Sequence, residues 1–260
     1  MTTKGARLAG LAAVITGANR GIGATLAKGL ARDGAAVVVN YPDAATEPEA
    51  RAVAEEICGS GGRAIAVRAD VRALAEHRAL IAAAQGEFGA LDILINNAGI
   101  EYREPFLTTT EAQFDNTLNV NLKGAYFLSQ AAAHAMIQGG KGGRIINISS
   151  CHETVPLALR SAYSISKGGM AMLTKSLALE LAEYGINVTA IAPGAILTDM
   201  NREGLSHPET LKHLLRTIPL NRVGTTEDCV GAAVFLASPD SAYMTGTTLF
   251  VDGGLLLRKL

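Results

Sequence analysis

Residues 16–23 read TGANRGIG and follow the apolar run LAAVI at 11–15. Three glycines in eight residues, placed between an apolar run and a helical pattern, describe a sharp turn from a buried strand into a helix. Glycine reaches backbone conformations and close approaches that other residues cannot. The same grammar continues along the chain. The apolar pattern predicts strands near 11–16, 35–40, 63–69, 91–96, 143–149, 186–191 and 247–251, and helices near 21–33, 46–58, 72–87, 109–138, 161–184 and 226–237. The strands are short, unbroken and rich in Val and Ile, as in AAVVVN, GRIINIS and INVTAIA. That composition suits strands covered on both faces. Strands alternating with helices predict βαβ units and a parallel α/β sheet.

The chain has 260 residues, enough for one large domain, 1–260, and too few for two comfortable ones. With 48% hydrophobic and 18% charged residues it carries ample core material and no signature of disorder. A net charge of −1 leaves no basic field for a nucleic-acid backbone or a membrane surface. Its apolar runs are too short to span a bilayer, and MTTKGARLAG lacks the apolar core and cleavage site of a secretory signal. Three cysteines, Cys58, Cys151 and Cys229, show no paired spacing and suit a reducing cytoplasm. The five histidines show no metal-ligand spacing, so no metal is expected. One insertion, roughly 194–225, holds Gly194, Gly204, Pro208, Pro219 and Gly224 and is expected to be an irregular, mobile substrate lid.

Gly17, Gly21 and Gly23, with Asn19, Arg20 and Ile22 between them, allow backbone to approach a pyrophosphate, and the following helix would aim its N-terminal amides at that charge. The spacing is G-x3-G-x-G, a loose fit to the commoner dinucleotide fingerprint. An NAD site presents an acidic side chain at the end of the second strand. Here that position carries Asn40 and Tyr41, while Arg20 could pair with a 2′-phosphate. Asp43 opposes this if it points inward. The cofactor expected is therefore NADP or NAD, with a lean to NADP.

A second motif, SAYSISKGGM at 161–170, places Tyr163 and Lys167 one helical turn apart. An ammonium beside a phenol favours the phenolate and is expected to lower the tyrosine pKa.

Together, TGANRGIG, Asp70-Val71, NNAG at 96–99, Asn121 in NLKG, Ser150, Tyr163-x-x-x-Lys167, Pro193-Gly194 and Val251-Asp252-Gly253-Gly254 resemble the short-chain dehydrogenase/reductase family over nearly the whole chain. The resemblance implies a single doubly wound Rossmann-type domain with about seven parallel strands and helices on both faces, an NAD(P) cofactor and a homotetramer. It makes Tyr163 the acid/base, Lys167 its electrostatic partner and ribose ligand, and Ser150 the hydroxyl that orients the substrate. Asn121 would hold a water linking Lys167 to solvent. Asp70 and Val71 would flank the adenine, and Asn97, in the turn with Ala98 and Gly99, the ribose. Pro193, Gly194, Ile196 and Thr198 would border the nicotinamide. Ser149 and Asn119 are expected to be structural.

Glu101 directly after NNAG, His152 after Ser150, SKGGM and TGTTLFVDGG are similar to the bacterial glucose 1-dehydrogenase branch. Carboxylate, imidazole and hydroxyl groups suit a substrate rich in OH groups, although PLALRSA replaces the aromatic stretch usual before the tyrosine. The expected reaction is hydride transfer between NAD(P) and a small alcohol or carbonyl compound, a sugar or polyol. Two rivals stand beside it. One is a 3-oxoacyl-[acyl-carrier-protein] reductase, with Arg103, Arg160 and Arg202 docking the acidic carrier. The other is a regulator that binds NADP(H) without turnover.

Overall fold

The computed structural model describes residues 7–257. Seven parallel strands, β1 (Ala12–Ile15), β2 (Ala36–Tyr41), β3 (Arg63–Arg68), β4 (Ile93–Asn96), β5 (Gly143–Ile148), β6 (Ile186–Pro193) and β7 (Thr248–Val251), form one sheet in the order β3-β2-β1-β4-β5-β6-β7. The order reverses between β1 and β4, where Val14 pairs with Val38 on one side and Leu94 on the other. In an open parallel sheet the crevice for a ligand opens there, beyond the carboxyl ends of the strands.

Successive strand residues feed two cores. Ile15, Val37, Val39 and Ile95 pack beneath α1 (Gly21–Arg32), α2 (Glu47–Gly59) and α9 (Val230–Ala237). Val14, Val38, Leu94 and Ile145 pack beneath α3 (Leu74–Phe88), α5 (Ala125–Gly139) and α6 (Ser161–Leu181). This two-face burial explains why the strands read as continuous apolar runs. The doubly wound, seven-stranded expectation holds.

Two expected elements differ. The helix read over 109–138 is divided into α4 (Glu111–Leu118), a π-helical turn (Asn119–Gly124) and α5. At that turn an added Cβ on Gly124 would lie 2.8 Å from the Val71 carbonyl oxygen, so the widened turn squeezes past the exit of β3. Periodicity does not reveal a single inserted residue per turn, and such turns favour functional sites. The insertion expected to be irregular is largely helical, with α7 (Asp199–Leu205) and α8 (Pro208–Thr217). α8 carries a half-buried face of Leu211, Leu214 and Leu215, and the flanking Pro208 and Pro219, which read as breaks, act only as its boundaries. The predicted helix over 161–184 is α6 plus a final 3-10 turn, Ala182–Tyr184. Among the described residues no helix is long and apolar enough to cross a membrane, and all three cysteines are free.

Candidate active site

The glycine turn is built by its neighbours. Gly17 and Gly21 both have φ of +58°. A Cβ on Gly23 would fall 2.4 Å from Asn97 Nδ2 and 2.5 Å from the Gly17 carbonyl oxygen, distances that backbone cannot relieve. Asn97 Nδ2 donates to the carbonyls of Thr16 (2.8 Å) and Gly17 (3.0 Å). Thr16 Oγ1 accepts from the backbone N–H of Asn97 and Ala98, each at 2.9 Å. Asn40 Oδ1 accepts from Gly17 N–H at 3.2 Å while its Nδ2 donates to Ala69 O at 2.9 Å. Asn19 Nδ2 donates to Glu49 at 2.6 Å.

These bonds correct three expectations. Asn40 is 1% exposed and ties the turn to β2 and β3 instead of facing adenosine. Tyr41 belongs to the core below α1 and α2. The Asn97 Nδ2 and backbone N–H hold the turn, leaving its two carbonyl oxygens for a ribose. What the turn offers a ligand is the start of α1: no side chain caps it and its first turn holds no acid. Its free amides and positive dipole end fit a pyrophosphate. Arg20 stands exposed at that end, while Asp43 caps its own 3-10 turn through Thr46, so the feared inward acid is engaged elsewhere. Asp70 is locked by Arg72, whose guanidinium holds its carboxyl below the usual carboxylate range. Its side chain is therefore spent on an ion pair, and the neighbouring Val71 is buried.

Ile22 and Gly99 complete the rim, with Gly99 so placed that a Cβ would lie 3.8 Å from Lys167 Nζ. On the far side, the β6 exit brings Pro193, Gly194, Ile196 and Thr198 round. A Cβ on Gly21 would meet Thr198 at 3.9 Å, and one on Gly194 would strike Asp252 at 2.7 Å. The VDGG tail thus packs behind the β6 exit.

Ser150 lies two residues beyond the end of β5 and accepts the N–H of His152 at 3.2 Å. Tyr163 and Lys167 stand on α6, with Lys167 Nζ 5.6 Å from the centre of the Tyr163 ring. Lys167 is buried, donates to Ile148 O at 2.8 Å and is pushed by desolvation down to about 8, with Glu153 pulling it upward. Burial also pushes the Tyr163 phenol well above its ordinary value, with its hydrogen bond to Ser150 pulling the other way. The expectation that the ammonium lowers the phenol is not met: burial dominates, and the groups that oppose it are Ser150 and Arg160. Asn121, fully buried in the π-helical turn, accepts from Ile100 N–H (2.8 Å) and donates to Ile100 O (2.9 Å) and Ser166 Oγ (3.0 Å). Both Nδ2 hydrogens are used within the protein, so Asn121 can meet a water only as an acceptor. Ser149 is buried against Lys167 O, a structural position as expected.

His152 stacks edge-on to Tyr163 at 6.4 Å between ring centres, with Nδ1 bonded to Val155 O at 2.9 Å. Glu101 is not open to a ligand on all sides: it pairs with Arg160 Nε at 2.5 Å, the two side chains 17% and 20% exposed. Arg160, expected on a carrier-docking face, is a member of the site, and Arg202 pairs with Asp199. Thr16 is the site residue that the sequence reading passed over, and Arg160 is one to which it gave another role. Thr16 had a local signal, standing immediately before the glycine turn.

Over residues 17–256 the chain matches the family described as enoyl-(acyl carrier protein) reductase. It is 44% identical to an L-rhamnose 1-dehydrogenase (NAD(P)(+)) of Azotobacter vinelandii, covering 94% of this chain and 96% of that protein. It is 42% identical to 3beta-hydroxysteroid dehydrogenase 1 of Eggerthella lenta, covering 96% and 95%. The crystal structure of a gluconate 5-dehydrogenase from Burkholderia cenocepacia in complex with NADP and tartrate superposes with a TM-score of 0.92 at 39% identity, covering 97% and 98%.

Proposed function

The chain belongs to the short-chain dehydrogenase/reductase family, and from that membership we propose that it is an NAD(P)-dependent dehydrogenase of a sugar or polyol. When bound, NAD(P) supplies the hydride acceptor or donor; the proton is handled by the chain's own groups. The observation that carries the reading is the meeting of Ser150, Tyr163 and a buried Lys167, whose Nζ lies 5.6 Å from the centre of the Tyr163 ring and is fixed by Ile148 O.

In reduction, Tyr163 is held protonated by burial and gives its proton to the substrate oxygen as negative charge grows there. Ser150 donates a second hydrogen bond to the same oxygen, stabilising the transition state more than the ground state. In oxidation Tyr163 must take the hydroxyl proton. The charged Lys167 ammonium, fixed by Ile148 O, then stabilises the phenolate. With its pKa near 8, Lys167 keeps its charge through neutral pH. His152, Glu101 and Arg160 border the mouth and can exchange hydrogen bonds with several substrate hydroxyls.

The relatives named for rhamnose and gluconate support a sugar, and an aldose oxidised at C1, glucose included, is the reading the rim favours. NADP is the preferred cofactor because Arg20 is exposed and no acid stands free at the end of β2. The α7–α8 segment closes over the substrate as a lid. The exposed apolar side chains Ile165, Met172 and Leu179 of α6 form a face for other copies in a homotetramer, and the free cysteines suit the cytoplasm. A carrier-bound thioester is disfavoured, since Arg160 and Arg202 are both paired. A regulator without turnover is disfavoured because the acid–base residues are complete. The test is a panel of aldoses, polyols, aldonates and a 3-oxoacyl thioester, followed by NAD(P)H absorbance. Turnover of sugars or polyols is expected. Turnover of the thioester alone, or of nothing, would overturn the proposal.

A further inference from the structure

Deepening that proposal and resting on it, we infer that the Glu101–Arg160 pair makes this site selective for neutral sugars and excludes sugar acids. Three independent features join the two segments that carry the pair. Glu101 Oε1 accepts from Arg160 Nε at 2.5 Å across 59 residues of sequence. Glu104 N–H donates to Leu159 O at 2.8 Å, stitching the segment after β4 to the segment before α6. Leu159 is held at φ +65°, a left-handed conformation that costs a branched side chain energy and persists only where the surroundings enforce it. The result is a clamp across the substrate mouth, three residues before Tyr163.

Both charges of the clamp reach the reacting phenol. Glu101 raises the Tyr163 pKa and Arg160 lowers it, so the pair lies within electrostatic range of the substrate oxygen. Among the described residues neither side chain has a second hydrogen-bond partner. Paired, they present a carboxylate oxygen to accept and guanidinium N–H groups to donate, with no net charge. That suits vicinal hydroxyls. A substrate carboxylate would bring a second negative group against Glu101, in a site where solvent screening is reduced by burial, and like charges there cost several-fold to many-fold in affinity. Free of Glu101, the Arg160 fork would instead bind a carboxylate in bidentate fashion.

The experiment compares wild type, Glu101→Gln and the double variant Glu101→Gln/Arg160→Gln. Each is assayed with L-rhamnose, D-glucose and D-gluconate, and D-gluconate binding to the NADP complex is measured by titration calorimetry. Melting temperatures show that each variant is folded. Wild type should favour the better neutral sugar over gluconate by at least about a hundredfold in kcat/KM. Glu101→Gln should narrow that ratio at least about tenfold and tighten gluconate binding by a similar factor. The double variant should lose the gain, which a merely structural role for the pair would not produce. If Glu101→Gln weakens every substrate alike or leaves gluconate binding unchanged, the clamp is overturned and the sugar dehydrogenase reading survives. If wild type turns over none of the three and no other aldose or polyol, that reading fails, and the calorimetry alone still decides the clamp.

Discussion

The two ends of the cleft are built in opposite ways. At the glycine turn almost every polar side chain is spent on the protein itself: Thr16, Asn19, Asn40 and Asn97 all bond inward, and the ligand is left backbone amides and space. At the substrate end, between β5 and α6, the polar groups are left with capacity to spare. Ser150 is shared with Tyr163, the Glu101–Arg160 pair has no second partner, and one carboxylate oxygen of Glu153 is buried without one. A cofactor common to many substrates calls for a rigid, shape-defined cradle. A proton-transfer centre needs groups whose charge can still change. The first region is therefore sensitive to volume and the second to charge.

Four substitutions would break or sharpen that contrast. The largest effect is expected from Tyr163→Phe, which keeps the shape and removes the proton. Turnover should fall at least about a thousandfold while cofactor affinity changes less than about threefold. Stopped-flow or steady-state assays with cofactor titration would check it, and near wild-type turnover would remove the mechanism.

Lys167→Met tests the charge cost directly. The folded pKa of Lys167, about 8, lies below the ordinary 10.5, so the unfolded chain binds the extra proton between those values. Wild-type stability should therefore gain with rising pH across that window from this group, by up to about 3 kcal/mol at 1.36 kcal/mol per unit. The difference between wild type and Lys167→Met in denaturant unfolding at several pH values should show that gain. A pH-independent difference would mean the ammonium is not desolvated.

Gly23→Ala tests the volume side. Its Cβ would press on Gly17 backbone and Asn97, so a loss of about 2 kcal/mol and a fall in melting temperature of several degrees are expected. Cofactor affinity should fall at least about tenfold, with proton transfer in the saturated enzyme little altered. The smallest effect belongs to Arg20→Ala. Removing one exposed charge should lower the NADP-to-NAD efficiency ratio about tenfold, or about 1.4 kcal/mol. An unchanged ratio would assign the NADP preference elsewhere.

The contrast also explains what could be read from the sequence. The central strands were legible because they bury both faces and so run apolar without interruption, and the half-exposed β3 and β7 because they still carry a short run of apolar residues. The glycine turn was legible as a place, yet the partners of Asn40, Asn97 and Asp70 were not. Polar residues beside a presumed ligand look identical whether they face it or bond behind it. The π-helical turn at Asn121 was missed because one inserted residue barely disturbs the apolar rhythm of a long helix, and α8 because its short apolar face of Leu211, Leu214 and Leu215 sits between Pro208 and Pro219, which read as breaks.

By itself, the order of residues determined the parallel α/β sheet, the anion-binding start of α1 and the succession of Ser150, Tyr163 and Lys167, all of which depend on short spacings and on periods of two and 3.6 residues. Only the tertiary structure decided that Glu101 meets Arg160 and that burial, not the neighbouring ammonium, sets the resting state of the Tyr163 phenol. The reason is physical: pairing between distant segments and the loss of solvent around a charge depend on where the whole chain packs, and no local stretch of sequence holds that information.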